Sequence, residues 1–233
     1  MKGTWIREAA LLTVGLILMG FFVKLGLNSI TDNQRVVSVK GLAEKEVKAN
    51  KVTWPICVKQ AGNDLAEMYA MMSKSNQVVK NFLIKNGIPA NEITVNAPQI
   101  TDKDAEQYTS NGNFRYLVSS IITVSTEKVD LARSLMSRQG ELLTQGVAVS
   151  ATDYQNQITY DYTDLNKIKP KMIEEATKNA REAADKFAKD SESHLGKIKD
   201  ASQGQFSIED RDANTPFIKE VRVVSTIDYY LKD

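Results

Sequence analysis

The sequence predicts an α+β protein in which an N-terminal transmembrane helix precedes mostly antiparallel strands packed with about three helices. Three observations lead to this fold class. An apolar segment begins at residue 9, stretches rich in alternating β-branched residues recur further on, and three segments repeat apolar residues at spacings of three and four. With 233 residues, the chain is long enough to bury a sizeable core.

The apolar segment has the length and the flanking charges of a signal-anchor. Residues 9–27 carry one charge, Lys24, and about 20 apolar residues suffice to cross a membrane. Lys2 and Arg7 precede the segment and favour a cytoplasmic N-terminus. A cleaved signal peptide and a buried core helix are the alternatives. The predicted organisation is a cytoplasmic N-terminus at 1–8, a transmembrane signal-anchor at 9–27, a connector at 28–34 and one extracytoplasmic domain at 35–233.

The extracytoplasmic part alternates strand and helix patterns. Gly41 is expected at a turn or bulge, and Pro55 indicates an edge strand or a bulge because proline cannot donate to a ladder. Asp64 is the predicted N-cap of the first helix, which Asn86 and Gly87 end. The predicted strands are 35–40, 44–60, 92–101, 114–126, 146–164, 197–208 and 218–231, and the later helices start near Glu127, with a bend at Gly140, and at Pro170.

The third helix, Pro170 to His194, is the longest one predicted. Its apolar stripe is mostly alanine, so it can approach a sheet or another helix closely. Gly196 is the predicted C-terminal stop. His194, the only histidine, then lies in the last turn, where it complements unpaired carbonyls. A binding contact and a catalytic role are the alternatives for this side chain.

The composition restricts the kinds of site that one chain can build. A net charge of +1 without a dense basic block gives no reason to expect a nucleic-acid partner. One cysteine and one histidine exclude an intrachain disulfide and a Cys/His zinc site. No phosphate-binding glycine loop, nucleophile elbow or metalloprotease motif occurs. We therefore expect no enzyme, no catalytic residue, no cofactor and no metal site, with carboxylate-based catalysis as the remaining enzymatic alternative.

Two stretches outside the helices raise the question of a site. Cys57 is expected to be a small buried hydrophobe in a strand, with an intermolecular disulfide or a redox sensor as alternatives. The segment 153–164 holds Tyr154, Tyr160 and Tyr162 among three aspartates. The last two tyrosines are predicted to share one strand face for cross-strand packing or an oligomer contact. A cation or carbohydrate site is the alternative.

Two polar loops contain paired carboxylates. These pairs are Asp102 with Asp104 and Asp210 with Asp212. A hydrolase needs two carboxyl groups whose surroundings separate their pKa values, and nothing apolar flanks either pair. Solvated loops are therefore the prediction.

Four stretches together resemble the SIMPL-domain family, which includes periplasmic and outer-membrane immunogenic proteins of bacteria. They are RVVSVKGLAEKEVKANKVTW, SNQVVKNFLIKNGIPANEITVNAPQI, EEATKNAREAADKFAKDSESHLGKI and VRVVSTIDYYL. Ala49-Asn50 stands where many members have Pro-Asp. The resemblance spans about residues 35–233. It implies an α+β fold, large homo-oligomers in at least some members and a loose link to envelope or oxidative stress, and it supplies no catalytic residues.

The leading functional hypothesis is a non-enzymatic protein of the bacterial inner membrane with its domain in the periplasm. This domain is expected to self-assemble, with long edge strands at 114–125 and 219–231 available for pairing between subunits. The alternative is an extracytoplasmic binding or sensory module for a small molecule, not identified by the sequence, or for a partner protein.

Overall fold

A computed structural model describes residues 2–32, 35–105, 113–150 and 156–232. The fold is α+β with antiparallel sheets, as predicted. The helices are α1 (Lys2–Asp32), α2 (Leu65–Lys85), α3 (Val129–Ser137), α4 (Gly140–Thr144) and α5 (Leu165–Asp190). The strands are β1 (Val36–Lys48), β2 (Lys51–Gly62), β3 (Ile93–Val95), β4 (Gln99–Asp102), β5 (Tyr116–Thr126), β6 (Val149–Ser150), β7 (Thr159–Asp161), β8 (His194–Gln203), β9 (Ser207–Asp210) and β10 (Ile218–Lys232).

The chain forms two compact units. The first comprises Met1–Lys45, Asn166–Ser207 and Val221–Asp233, and the second comprises Glu46–Leu165 and Ile208–Glu220. Helix α1 belongs to the first unit, and its segment Glu8–Gly26 is long and apolar enough to cross a membrane, as an anchor or a signal sequence. None of that segment is buried, which rules out the core-helix alternative.

The second unit is built on a six-stranded antiparallel sheet with the order β3-β5-β2-β6. In addition, β4 pairs with β5 and β7 pairs with β2. Even-numbered residues of β2 and β5 lie on one face because side chains alternate along a strand. They share a core with α2, α3 and α4. The largest fully buried side chains of this core include Trp54, Ile56, Met72, Leu83 and Ile122.

The first unit places α5 against strands β1, β10 and β8, which neighbour one another in that order. The alanine stripe of α5 is fully buried, and it consists of Ala176, Ala180, Ala184 and Ala188. Asn179 donates from its side-chain nitrogen to the carbonyl oxygen of Leu42 at 2.7 Å. The predicted close approach of this helix is confirmed.

Gly41 allows this close approach from within β1. A Cβ atom on Gly41 would lie 1.9 Å from the carbonyl oxygen of Ala176 and 2.4 Å from the nitrogen of Ala180. The strand continues through Gly41. The predicted turn is therefore wrong, and the glycine is required because the backbone of a helix lies directly above it.

The signals that end or cap the helices of the second unit are where the sequence predicts them. The Asp64 carboxylate accepts hydrogen bonds from the backbone N–H groups of Ala66 and Glu67, which caps α2. Gly87 follows the helix with a φ of 97°, a conformation that favours glycine. The predicted bend near Gly140 is the break between α3 and α4.

Three strand predictions are corrected by the sheet order. Strand β5 lies between β2 and the pair β3 and β4, and β10 lies between β1 and β8. The stretches 114–125 and 219–231 are thus interior strands, because backbone pairing gives each of them strand neighbours on both sides. Pro55 also lies on an interior strand, β2. Among the described residues, β7 pairs with β2 before Pro55, at positions 51–53, and β6 pairs with β2 after it, at Cys57 and Val58.

The boundaries of α5, predicted as Pro170 to His194, are corrected at both ends. It begins at Leu165, so Pro170 lies inside it, where the missing N–H removes a single hydrogen bond. It ends at Asp190, because Glu192 adopts a φ of 55° and the Ser193 N–H donates to the Ala188 carbonyl at 2.8 Å. His194 is therefore the exposed first residue of β8 and does not lie in a helical turn.

Candidate functional site

A groove in the second unit lies between α2 and the segment that joins β3 to β4. Its volume is about 280 Å³, near the lower end of the roughly 300–1,000 Å³ typical of ligand pockets. Helix α2 supplies most of the polar side chains, which are Tyr69, Ser73, Asn76, Gln77 and Lys80. Val95, Asn96 and Pro98 form the opposite wall.

The spacing of residues along α2 explains why these side chains share one border. Positions three and four residues apart lie on the same side of a helix, so Tyr69, Ser73, Gln77 and Lys80 follow one another along it. The neighbouring stripe of α2 packs into the core. On the opposite wall, the Asn96 N–H donates to the Ile121 carbonyl at 3.0 Å, which fixes that segment to β5.

A cluster of polar side chains lies between α2 and the sheet, next to the groove. The Gln60 amide donates to the Ser75 hydroxyl at 2.9 Å, and the Asn76 amide donates to the Ser120 hydroxyl at 2.9 Å. The carbonyl oxygens of Gln60 and Asn76 are buried and have no hydrogen-bond partner among the described residues. Such unpaired buried acceptors are rare and call for an explanation, which a functional site provides.

The groove has the chemistry of a binding site for a polar molecule. It presents carboxamides, hydroxyl groups and one ammonium group beside the apolar Val95 and Pro98. Carboxamides both donate and accept hydrogen bonds. Within the ranges that the structure describes, no three His, Cys, Asp or Glu side chains are grouped to hold a metal ion.

This groove was not predicted from the sequence. The spacing of Tyr69 from Met72 is that of an apolar stripe on α2, yet the Tyr69 side chain is 61% exposed and borders the groove. A signal was present in the sequence. Ser75 and Asn76 stand between Met72 and Val79, where the helical period calls for an apolar residue.

Cys57 is buried, as predicted. It lies on β2, where it pairs with Ile121 of β5 on one side and Ser150 of β6 on the other. Because the residue is odd-numbered, its side chain lies on the sheet face opposite α2. Burial keeps this thiol away from solvent, so the position is that of a small hydrophobic residue.

The tyrosines of the segment 153–164 are only partly brought together. Tyr160 lies on β7 opposite Val52, and its ring packs edge-on against Phe217 with the centroids 6.2 Å apart. Burial raises the pKa of its phenol. The predicted packing role is confirmed for Tyr160. Tyr162 lies beyond the strand, which ends at Asp161, and Tyr154 lies outside the described residues.

The carboxylates of the first polar loop are held by one arginine. The guanidinium of Arg115 donates to the two oxygens of Asp102 at 3.0 and 2.8 Å, and it lies 3.3 Å from Asp104. The hydrogen bond from Arg115 lowers the pKa of Asp102. A lowered pKa keeps the carboxyl group ionised, the opposite of what a general acid requires. Residues 106–112 of this loop lie outside the described ranges.

The carboxylates of the second polar loop also have partners. Asp212 accepts hydrogen bonds from the Thr215 hydroxyl and from Arg211, which lower its pKa to about 2. Asp210 forms an ion pair with Lys219. The two carboxyl groups of the loop thus have partners within the chain.

The order of these elements along the chain agrees with one family of proteins. A family profile named SIMPL, described as a protein of unknown function (DUF541), matches residues 37–227. That range covers most of the chain and both compact units. The chain belongs to the SIMPL family. The predicted resemblance is thereby confirmed, and the SIMPL match extends from β1 to β10 and includes the groove. A comparison with curated proteins finds no match.

Proposed function

We propose that this SIMPL protein is a non-enzymatic protein of the bacterial envelope, held in the inner membrane by α1, whose periplasmic domain assembles with copies of itself. The observation that carries the proposal is the segment Glu8–Gly26, which has a mean hydropathy of 2.1 and is wholly exposed. Exposed apolar surface on this scale is unfavourable in water and favourable in lipid. A link to envelope or oxidative stress is an expectation from the family resemblance.

Self-assembly is supported by the edges of the sheet formed by β1, β10 and β8. Within the described ranges, β1 and β8 each have β10 as their strand neighbour, so both are edges. They are 13 and 10 residues long, whereas the edge strands of the other sheet have two to four residues. Long edges present unpaired backbone groups to a second chain, and short ones are protected.

Strand β8 is the more available of the two long edges. Four of the last five residues of β1 are charged, a pattern that opposes pairing with another edge. Strand β8 instead ends in the uncharged Ala201, Ser202 and Gln203, and it exposes 52% of Ile198. We propose that β8 pairs with a strand of a second copy, and that confinement to one membrane surface raises the local concentration.

An Ile198→Lys substitution tests this mode of assembly. A lysine on an edge strand opposes pairing, so we expect the large oligomer of the detergent-solubilised full chain to shift to smaller species. The matched control is Ile100→Lys, because Ile100 is 48% exposed on the short strand β4. Mass photometry gives the distributions. A wild-type chain that is monomeric at micromolar concentration, or an equal shift in both variants, would contradict the proposal.

The proposed orientation in the membrane is testable with thiol labelling. Buried Cys57 should not react in the folded chain, so single introduced cysteines can report their own side of the membrane. We expect an impermeant maleimide to label Ser134→Cys, on the exposed face of α3, in intact spheroplasts. Lys2→Cys should be labelled only after lysis. Labelling of Lys2→Cys in intact spheroplasts would contradict the proposed orientation. Release of the chain from membranes by alkaline carbonate would contradict anchoring by α1.

The alternative function, a periplasmic binding module, is favoured by one specific observation. It is the groove beside α2 with its polar lining and the unpaired acceptors of Gln60 and Asn76. Anchoring and assembly do not require this groove. A binding role would therefore be additional to the proposed function.

A further inference from the structure

We infer that the groove beside α2 binds an acidic sugar, meaning a pyranose ring that carries a carboxylate group. This inference goes beyond membrane anchoring and assembly, which involve α1 and β8. It rests on the hydrogen-bonding groups, the aromatic ring and the charge that surround the groove. Each of these features selects a property of the ligand.

The carboxamides select a ligand with many hydroxyl groups. Asn76, Gln77 and Asn96 border the groove. The Asn76 amide donates to Ser120 at 2.9 Å and the Gln77 amide to Asn81 at 2.8 Å, and a carboxamide has a second N–H and an acceptor oxygen besides. A sugar hydroxyl also donates and accepts through one atom. Two neighbouring hydroxyls can therefore bond to one carboxamide, one accepting from its N–H and the other donating to its oxygen. The Ser73 hydroxyl adds a further group of the same kind. An apolar ligand would leave these groups without partners as it displaced their water.

The aromatic and apolar side chains select a ring with a flat apolar face. Tyr69 borders the groove and holds much of its ring in solvent. Val95 and Pro98 add apolar surface beside the polar groups. One face of a pyranose carries C–H groups, which pack against an aromatic ring, while its hydroxyls point outward to the carboxamides. An exposed tyrosine beside a polar groove supplies this combination at low entropic cost.

The charge around the groove selects an acidic ligand. Lys80 brings an ammonium group to the end of the α2 border, and no described residue of the lining carries a carboxylate. A cationic ligand would meet repulsion, and a neutral one would not use the ammonium group. A carboxylate on the sugar forms a charge-assisted hydrogen bond with Lys80.

The buried cluster beneath α2 fixes one of these groups in place. The Ser120 hydroxyl accepts a hydrogen bond from the Asn76 side chain, so the carboxamide is held by β5. Its carbonyl oxygen remains without a partner among the described residues. A sugar hydroxyl that donates to this oxygen would supply its missing hydrogen bond. Holding the group in place before binding reduces the entropy lost on binding.

Isothermal titration of the full chain in detergent tests the inference with defined sugars. The acidic probes are trigalacturonate, N-acetylmuramate and N-acetylneuraminate, and the neutral probe is galactotriose. We expect at least one acidic sugar to bind about threefold or more tightly than galactotriose, the size of effect that one exposed ion pair provides. Lys80→Gln should remove that difference. Tyr69→Ala should weaken binding of the acidic sugar about tenfold, because the stacking surface is lost.

Phe114→Ala is the matched control, since Phe114 is an exposed aromatic residue of the same unit that does not line the groove. Its binding constants should equal those of the wild type. The inference is overturned if none of the acidic sugars binds, if galactotriose binds as tightly as the best of them, or if Phe114→Ala weakens binding as much as Tyr69→Ala. An unchanged oligomer distribution in the Tyr69→Ala and Lys80→Gln variants would show that the result is independent of assembly.

Discussion

Replacing Gly41 with alanine is expected to lower the free energy of unfolding by about 3 kcal/mol or more, the upper range for an overpacked position. The new Cβ atom would lie 1.9 Å from the Ala176 carbonyl oxygen and 2.4 Å from the Ala180 nitrogen. Both are backbone atoms of α5, so no rotation of a side chain can relieve the overlap. The helix must move away from β1, and its buried alanine stripe then loses contact with the sheet.

Urea unfolding followed by circular dichroism measures this effect, with Gly140→Ala as the control. A Cβ atom on Gly140 would meet nothing within 4 Å, and its φ does not require glycine. Alanine at such a position typically leaves stability unchanged or raises it by about 0.4–1 kcal/mol. An unfolding midpoint for Gly41→Ala equal to that of the wild type would mean that α5 does not approach β1 as described.

A Trp54→Ala substitution should destabilise the second unit by about 3–5 kcal/mol, the usual cost of removing a buried tryptophan. The Trp54 side chain is 1% exposed, and it packs in the core formed by the sheet and the helices α2, α3 and α4. Alanine would leave a cavity that rigid neighbours on β5 cannot fill. The loss should be greater than that of any substitution on the exposed surface.

The chain provides a control for this experiment, because it contains two tryptophans. Trp5 is 77% exposed on α1, so Trp5→Ala should leave the stability of the folded domain unchanged. The same variant makes Trp54 the sole tryptophan reporter, and its fluorescence should shift to the red when the core unfolds in urea. A red-shifted emission maximum in the folded Trp5→Ala protein would contradict the burial of Trp54.

Much of the local structure could be predicted because its causes are local. Asp64 caps α2 through hydrogen bonds to residues two and three positions away, and Gly87 ends it with its own φ angle. The alanine period of α5 likewise identifies its buried face. The end of α5 could not be predicted in this way. Glu192 adopts the left-handed conformation in place of a glycine, because pairing of β8 with β10 requires the chain to turn there.

The candidate site could not be predicted, since its lining depends on how α2 packs against the sheet. Tyr69 reads as one more apolar position of α2, and its exposure depends on what covers that side of the helix. Asn76 becomes a buried group only when β5 brings Ser120 to it, 44 residues along the chain. A residue whose role depends on such a contact carries a weak signal in the sequence.

The sequence by itself determined the apolar N-terminal segment, the α+β class, the caps of α2, the buried alanine face of α5 and membership of the SIMPL family. These properties follow from periodicity, composition and hydrogen bonds between near neighbours. Only the tertiary structure decided that β5 and β10 are interior strands, that β8 is an edge of its sheet within the described ranges, that Gly41 lies beneath a helix, and that a groove opens beside α2. The physical reason is that strand order and close packing arise from contacts between distant residues, and an alternating pattern reads the same on an edge strand as on an interior one.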